Sequence, residues 1–126
     1  MIINSVSADG YKNLDGADIT LDAGLNVFCG RNAQGKTNLI EAIWLCTGCK
    51  SFRLARDRNF IGFDKDKAVV DVKFTDSFRP QEIRFEIRKG SLRDRNITLN
   101  GVKVPLMSRL FGNLKCVIFT PDDLSL

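Results

Sequence analysis

Residues 30–37 read Gly-Arg-Asn-Ala-Gln-Gly-Lys-Thr, a G-x-x-x-x-G-K-T spacing. Each position suits the binding of a phosphate chain. Gly30 and Gly35 allow backbone angles and a closeness of approach that a β-carbon would block. The backbone N–H groups of Arg31, Asn32, Ala33 and Gln34 can then converge on phosphate oxygens, with the start of a helix adding partial positive charge. Lys36 is placed to reach the β- and γ-phosphates, and the Thr37 hydroxyl to ligate Mg²⁺, with Asn38 next in line. The competing reading is a glycine turn carrying a solvated lysine, or a loop that holds an anion other than a nucleotide. No second constellation rivals this one. Cys46-Thr47-Gly48-Cys49 is a C-x-x-C, but a zinc site would want a second ligand pair and the chain has no histidine. Cys29 and Cys116 sit singly in apolar runs and are expected to be small buried hydrophobes.

Such a loop works only between a buried strand and a helix. Residues 25–29 form an apolar run broken only by Asn26, which predicts a strand buried on both faces. Residues 37–47 predict a helix that stops at Gly48. Asn38 and Glu41 share one face of it, and apolar residues cover so much of the rest that the helix is expected to be buried. The remaining pattern is strand-rich. Residues 1–7 alternate weakly, and 17–21 form a short strand after a turn marked by Gly10 and Asn13. Residues 68–75, 81–88 and 95–99 alternate, with breaks at Pro80 and Lys89-Gly90. Asn100-Gly101 predicts a tight hairpin into 102–104. A helical turn is expected over 107–111, and a last buried strand over 115–119. Residues 51–67 read as loop with a short helical turn. The charged hairpin from Arg88 to Arg95 reads as protection of a sheet edge.

The chain has 126 residues, 44% of them hydrophobic and 27% charged, which predicts one domain over 1–126. The net charge of +4 is compatible with a polyanionic partner without requiring one. No apolar run reaches the length of a membrane span and no signal peptide is evident, so a cytoplasmic protein is expected.

Four stretches carry a family resemblance. "GRNAQGKTNLIEAI", "GYKNLDGADITLDAGLNVFCG", "GCKSFRLARDRNFIGF" and "VIFTPDDLSL" together resemble the ABC-type ATPase heads of the SMC group, and within that group the RecF family of recombination mediators. The resemblance covers essentially the whole chain. It implies an α/β fold, the first lobe of a P-loop NTPase head, in which a mixed or antiparallel sheet carries one main buried helix after the phosphate loop. It implies ATP contacts from Asn32 to Thr37 and Mg²⁺ at Thr37. Lys12 matches a basic position that approaches the phosphates in related heads, and Lys50 and Arg53 a basic loop that touches phosphate or DNA. Asp122 stands where related heads place a glutamine near the metal, so its role as a ligand does not carry over directly. Asp123 reads equally as a turn residue or helix cap.

The chain contains neither an apolar strand ending in Asp-Glu nor an L-S-x-G-[QE] stretch. The resemblance places both beyond Leu126, so an N-terminal fragment with an incomplete fold is expected, able to bind ATP but not to hydrolyse it. It implies a parent that acts in recombinational repair of single-strand gaps and in replication restart. Such a parent binds duplex DNA and gap junctions, dimerises on ATP and works with a RecR-type mediator. The alternative is a stand-alone anion- or nucleotide-binding module.

Overall fold

A computed structural model of the protein describes residues 1–29, 35–48, 60–77, 79–89 and 95–119. Its frame is a six-stranded sheet in the order β2-β1-β3-β4-β5-β6, antiparallel at every pairing. The strands are β1 (Ile2–Asp9), β2 (Ala17–Thr20), β3 (Lys67–Asp76), β4 (Arg79–Arg88), β5 (Arg95–Leu99) and β6 (Val102–Lys103). Helix α1 (Gly35–Leu45) lies between β2 and β3 in sequence.

The meander β3–β6 follows the period-2 pattern of its sequence. Ala68, Val70, Val72 and Phe74 of β3 alternate inward, facing Ile87, Phe85, Ile83 and Gln81 of β4 in register. Ile97 continues the buried row across β5 opposite Phe85. Asn100 and Gly101 turn the chain with φ of 54° and 82°, the positive angles a two-residue hairpin demands, and Leu99 pairs with Val102. Pro80 does not break β4 as expected. It pairs with Thr75 near the strand's start, where β5 has not yet joined, since that pairing begins at Ile83.

β1 explains its own weak alternation. Ile3 pairs with Phe74 and Ser5 with Lys73, leaving Asn4 as an extra residue in a bulge. The bulge changes parity, so Ile3 before it and Val6 and Ala8 after it all address the core. Onto that face pack Leu39, Ala42 and Leu45 of α1, with Phe60, Leu110 and Leu114 closing the same cluster. Gly48, at φ +89°, follows the turn that ends α1, and a β-carbon there would lie 2.9 Å from the Met107 carbonyl oxygen. The helical turn expected over 107–111 is a 3₁₀ turn, Met107–Arg109.

Two expected strands are not strands. Residues 25–29 and 115–119 carry no strand pairing, and Leu25 and Val117 are 88% and 99% exposed. Apolar composition predicted burial, but a strand also needs a neighbour for its N–H and C=O groups, and among the described residues none flanks either segment. Cys29 is accordingly exposed rather than buried, and Cys116 only partly covered. The loop expected over 51–67 lies largely outside the described residues.

The outer face of the sheet is polar, with one irregular site. Asp71 of β3 faces Arg84 of β4 in register, and the Arg84 Nη1 to Asp71 Oδ2 distance is 3.8 Å. Its Oδ1 is buried with no hydrogen-bond partner among the described residues. Burial, then the adjacent Glu82 carboxyl, push Asp71 up to about 6, against the smaller opposing pull of Lys73 and Arg84. The folded protein thus holds a proton that the unfolded chain has released. Stability is therefore expected to fall as pH rises from about 4 to about 6, and to level off above that window. Asp71→Asn should remove this slope and raise stability at pH 7, as read from urea unfolding at pH 4.5 and 7.

Candidate phosphate site at the start of helix α1

Helix α1 opens on the last three residues of the sequence motif. Gly35 and Lys36 are half-buried and Thr37 is exposed, and the first turn carries no acidic residue. A helix start with no acidic residue in its first turn favours an anion. Gly30, Arg31, Asn32, Ala33 and Gln34 lie outside the described residues, as do Lys50, Arg53, Asp122 and Asp123.

Asn38 and Glu41 share one face of the helix, as their spacing predicts. Its polar pair faces inward, with Asn38 3% and Glu41 0% exposed, while Ile40 is 41% exposed. Burial of a carboxylate is costly unless it is paired and hydrogen-bonded, and the turn after β1 supplies the partners. Tyr11 Oη donates to Glu41 Oε1 at 2.6 Å, and Lys12 Nζ lies 2.7 Å from the same oxygen. One residue on, Asn13 Oδ1 accepts from Asn38 Nδ2 at 2.7 Å. Three consecutive residues thus fasten to one face of α1. Asn13 and Leu14 also border Gly35, whose β-carbon position would lie 3.7 Å from each side chain.

The turn is itself held from behind. Gly62 N–H donates to the Gly10 carbonyl and Lys12 N–H to the Phe60 carbonyl, both at 2.7 Å. The Tyr11 ring stacks on Phe60 with centroids 5.6 Å apart, and the Lys12 ammonium stands 5.7 Å from the same ring centroid. Lys65 and Asp15 add an exposed ion pair at 2.9 Å. Lys12 adopts φ +50°, a left-handed angle, in the turn that follows β1. Lys12, expected near the phosphates, has its ammonium on Glu41 in this structure.

Sequence reasoning did not find Tyr11 or Asn13. The available signal was the presence of Asn38 and Glu41 in a helix otherwise so apolar, since polar groups there require partners. Their source was not readable, because Tyr11 and Glu41 are 30 positions apart. Of the C-x-x-C, Cys46 is fully buried, and burial pushes its thiol up, away from the reactive thiolate, while Cys49 lies outside the described residues.

With this geometry in hand, the relationships of the chain are informative. Residues 5–110 match the family described as the AAA domain. The DNA replication and repair protein RecF of Alkaliphilus oremlandii is 38% identical over the whole chain, which spans 34% of that relative. A solved structure of the recombination mediator protein RecF with ATP, in the RecFOR pathway, superposes with a TM-score of 0.88 at 29% identity. That match covers 97% of this chain and 33% of the other. The SMC head domain from Thermotoga maritima shares the fold, with a TM-score of 0.68 at 19% identity over 87% of this chain and 41% of its own.

The chain belongs to the AAA-domain family, with the α/β P-loop fold of an ATPase head and an antiparallel sheet backed by one main helix. Within that family its kinship is with RecF. It spans about a third of the length of the curated relatives it matches.

The clasp of the β1–β2 turn rests on close backbone approach. A β-carbon on Gly62 would come within 2.4 Å of the Lys12 carbonyl oxygen. Gly62→Ala should therefore destabilise the protein by about 1–3 kcal/mol through overpacking. Gly24→Ala, where a β-carbon meets nothing within 4 Å, is the control, expected to stay within about 0.5 kcal/mol. Denaturant titration of both variants measures the difference.

Proposed function

We propose that residues 1–126 are one nucleotide-binding domain of a RecF-type ATPase acting in DNA repair, and that ATP with Mg²⁺ is its ligand. One observation carries this reading. Gly35, Lys36 and Thr37 open an 11-residue helix with no acidic residue in its first turn, in a chain that superposes on an ATP-bound RecF. The described residues fit the ligand chemically. Lys36 supplies a cation, Thr37 an exposed hydroxyl, and the nearest helix carboxylate, Glu41, is turned into the core. Bound Mg²⁺ would supply charge neutralisation between the outer phosphates, with Thr37 as its protein ligand and phosphate oxygens and water as the others.

The chain's own contribution is binding and orientation. In this reading the N–H groups of residues 30–38 would bind the phosphates, Lys36 would neutralise their outer end, and Thr37 would hold the metal. Hydrolysis further needs an in-line water and charge stabilisation on the transferring group. We assign neither task to a residue of this chain, so it binds ATP without turning it over. The reading extends to the parent protein. Its function is recombinational repair at single-strand gaps and replication restart, with duplex DNA and gap junctions, a second copy brought in by ATP, and a RecR-type mediator as partners. Lys50 and Arg53 are its proposed phosphate or DNA contacts and Asp122 a residue near the metal. No helix among the described residues is long and apolar enough to cross a membrane, and we place the parent in the cytoplasm.

Lys36→Ala should weaken Mg-ATP binding by about 1.5–3 kcal/mol, roughly 10- to 150-fold in Kd. Thr37→Val should impair Mg-dependent binding more than metal-free binding. Titration with a fluorescent nucleotide measures both, and equal affinity of Lys36→Ala and the parent sequence would overturn the assignment. Phosphate release at saturating Mg-ATP should stay at background across a wide range of protein concentration.

Duplex DNA binding should be electrostatic. The logarithm of its affinity is expected to fall with the logarithm of salt concentration by about 0.9 per phosphate neutralised. Fluorescence anisotropy over a salt series tests this, and a flat response would point to stacking or to a different partner.

A further inference from the structure

Asn13 touches the phosphate-loop helix at two places. Its Oδ1 accepts from Asn38 Nδ2 at 2.7 Å, and Asn38 is buried while Asn13 is exposed. Its amide also lies broadside to Gly35. A β-carbon there would stand 3.7 Å from Asn13 Nδ2 and 3.8 Å from its Oδ1, ordinary contact distances. Gly35 and Asn38 are three residues apart and share one face of α1, so a single side chain spans the first turn of the helix. At about 100° per residue, Lys36 and Thr37 point about 130° away from that face, one to each side. Asn13 therefore grips the turn from behind. The grip has a fixed base. Lys12 N–H donates to the Phe60 carbonyl at 2.7 Å and Leu14 N–H to the Tyr11 carbonyl at 2.8 Å, which pins the backbone on both sides of Asn13.

We infer that Asn13 is a positioning residue for the nucleotide site, acting through Asn38 and Gly35. The first N–H groups of a helix have no partner within it, so its opening turn is held by side-chain contacts or by a ligand. Asn13 supplies such a hold here. It fixes the height and rotation of the turn before a ligand arrives, so that binding does not have to order it. The effect of Asn13 on affinity rests on the nucleotide-binding reading, and its effect on the helix start rests on the contacts alone.

Asn13→Ala, Asn38→Ala and the combined variant form a double-mutant cycle, and Asn13→Asp keeps an oxygen acceptor for Asn38. Two quantities are measured where each protein is folded. One is Kd for Mg-ATP and for inorganic pyrophosphate. The other is backbone hydrogen exchange at Leu39, Ile40 and Glu41, whose N–H groups bond back to residues 35–37. Asn13→Ala should weaken both ligands about fivefold and speed exchange at those three amides by a similar factor, while the amides of β3 and β4 keep their rates. The combined variant should bind within about twofold of the weaker single variant, since both substitutions remove the same contact. Asn13→Asp should exchange like the unmutated chain. The inference is overturned if the two fold-losses multiply, because Asn13 would then touch the ligand independently of Asn38. It is also overturned if Asn13→Ala leaves either Kd or local exchange unchanged, if all amides speed up alike, or if Asn13→Asp exchanges as fast as Asn13→Ala. Should a variant to alanine fail to fold, exchange in Asn13→Asp decides: the rates of the unmutated chain uphold the inference and faster ones overturn it. If the unmutated chain binds neither ligand, the proposed function fails, while exchange still decides whether Asn13 holds the helix start.

Discussion

A carboxylate with no access to water governs how this molecule is put together. Glu41 sits on the inward face of α1, and a charge in that position needs an opposite charge and a hydrogen-bond donor before the helix can settle on the sheet. Both come from one turn, through Lys12 and Tyr11. The turn must in turn be held at the right height, and this is the role of the clasp between Gly10 and Gly62 and of the Phe60 ring. The rest of the core is permissive by comparison. Leu39, Ala42 and Leu45 could pack on a sheet of Val, Phe and Ile at several rotations, whereas the Glu41 pair admits one.

The sheet and the helix stand in different relations to the sequence. β3, β4 and β5 were legible because each stabilising feature is local: inward residues recur at every second position, and Asn100-Gly101 supplies the positive φ of its hairpin. β1 was legible only dimly, since the bulge at Asn4 moves its inward residues from odd to even positions and erases the alternation a reader looks for. Residues 25–29 and 115–119 show the limit of composition. Their apolar runs describe what the segments would do with flanking strands, and the described residues offer none.

The candidate site divides in the same way. Gly35, Lys36 and Thr37 are recognisable because spacing along one helix start is a local property. The face that fixes the helix is non-local: Asn13 meets Asn38 across 25 positions and Tyr11 meets Glu41 across 30. No periodicity links such residues. An inward polar pair in an apolar helix raises the question of its partners without answering it.

The inward anchoring of Glu41 also sets the angular phase of α1. An α-helix advances about 100° per residue, so Lys36, five positions earlier, points about 140° away around the axis, while Asn38 points only about 60° away. The screw of the helix therefore turns Asn38 toward the sheet and Lys36 away from it, as their burial records. Aim at one end is set by an anchor at the other. One residue inserted or lost between Lys36 and Glu41 would leave every motif letter in place and swing the lysine by about a quarter of a revolution. The spacing from lysine to glutamate is thus as much a part of the phosphate site as the glycines that precede it.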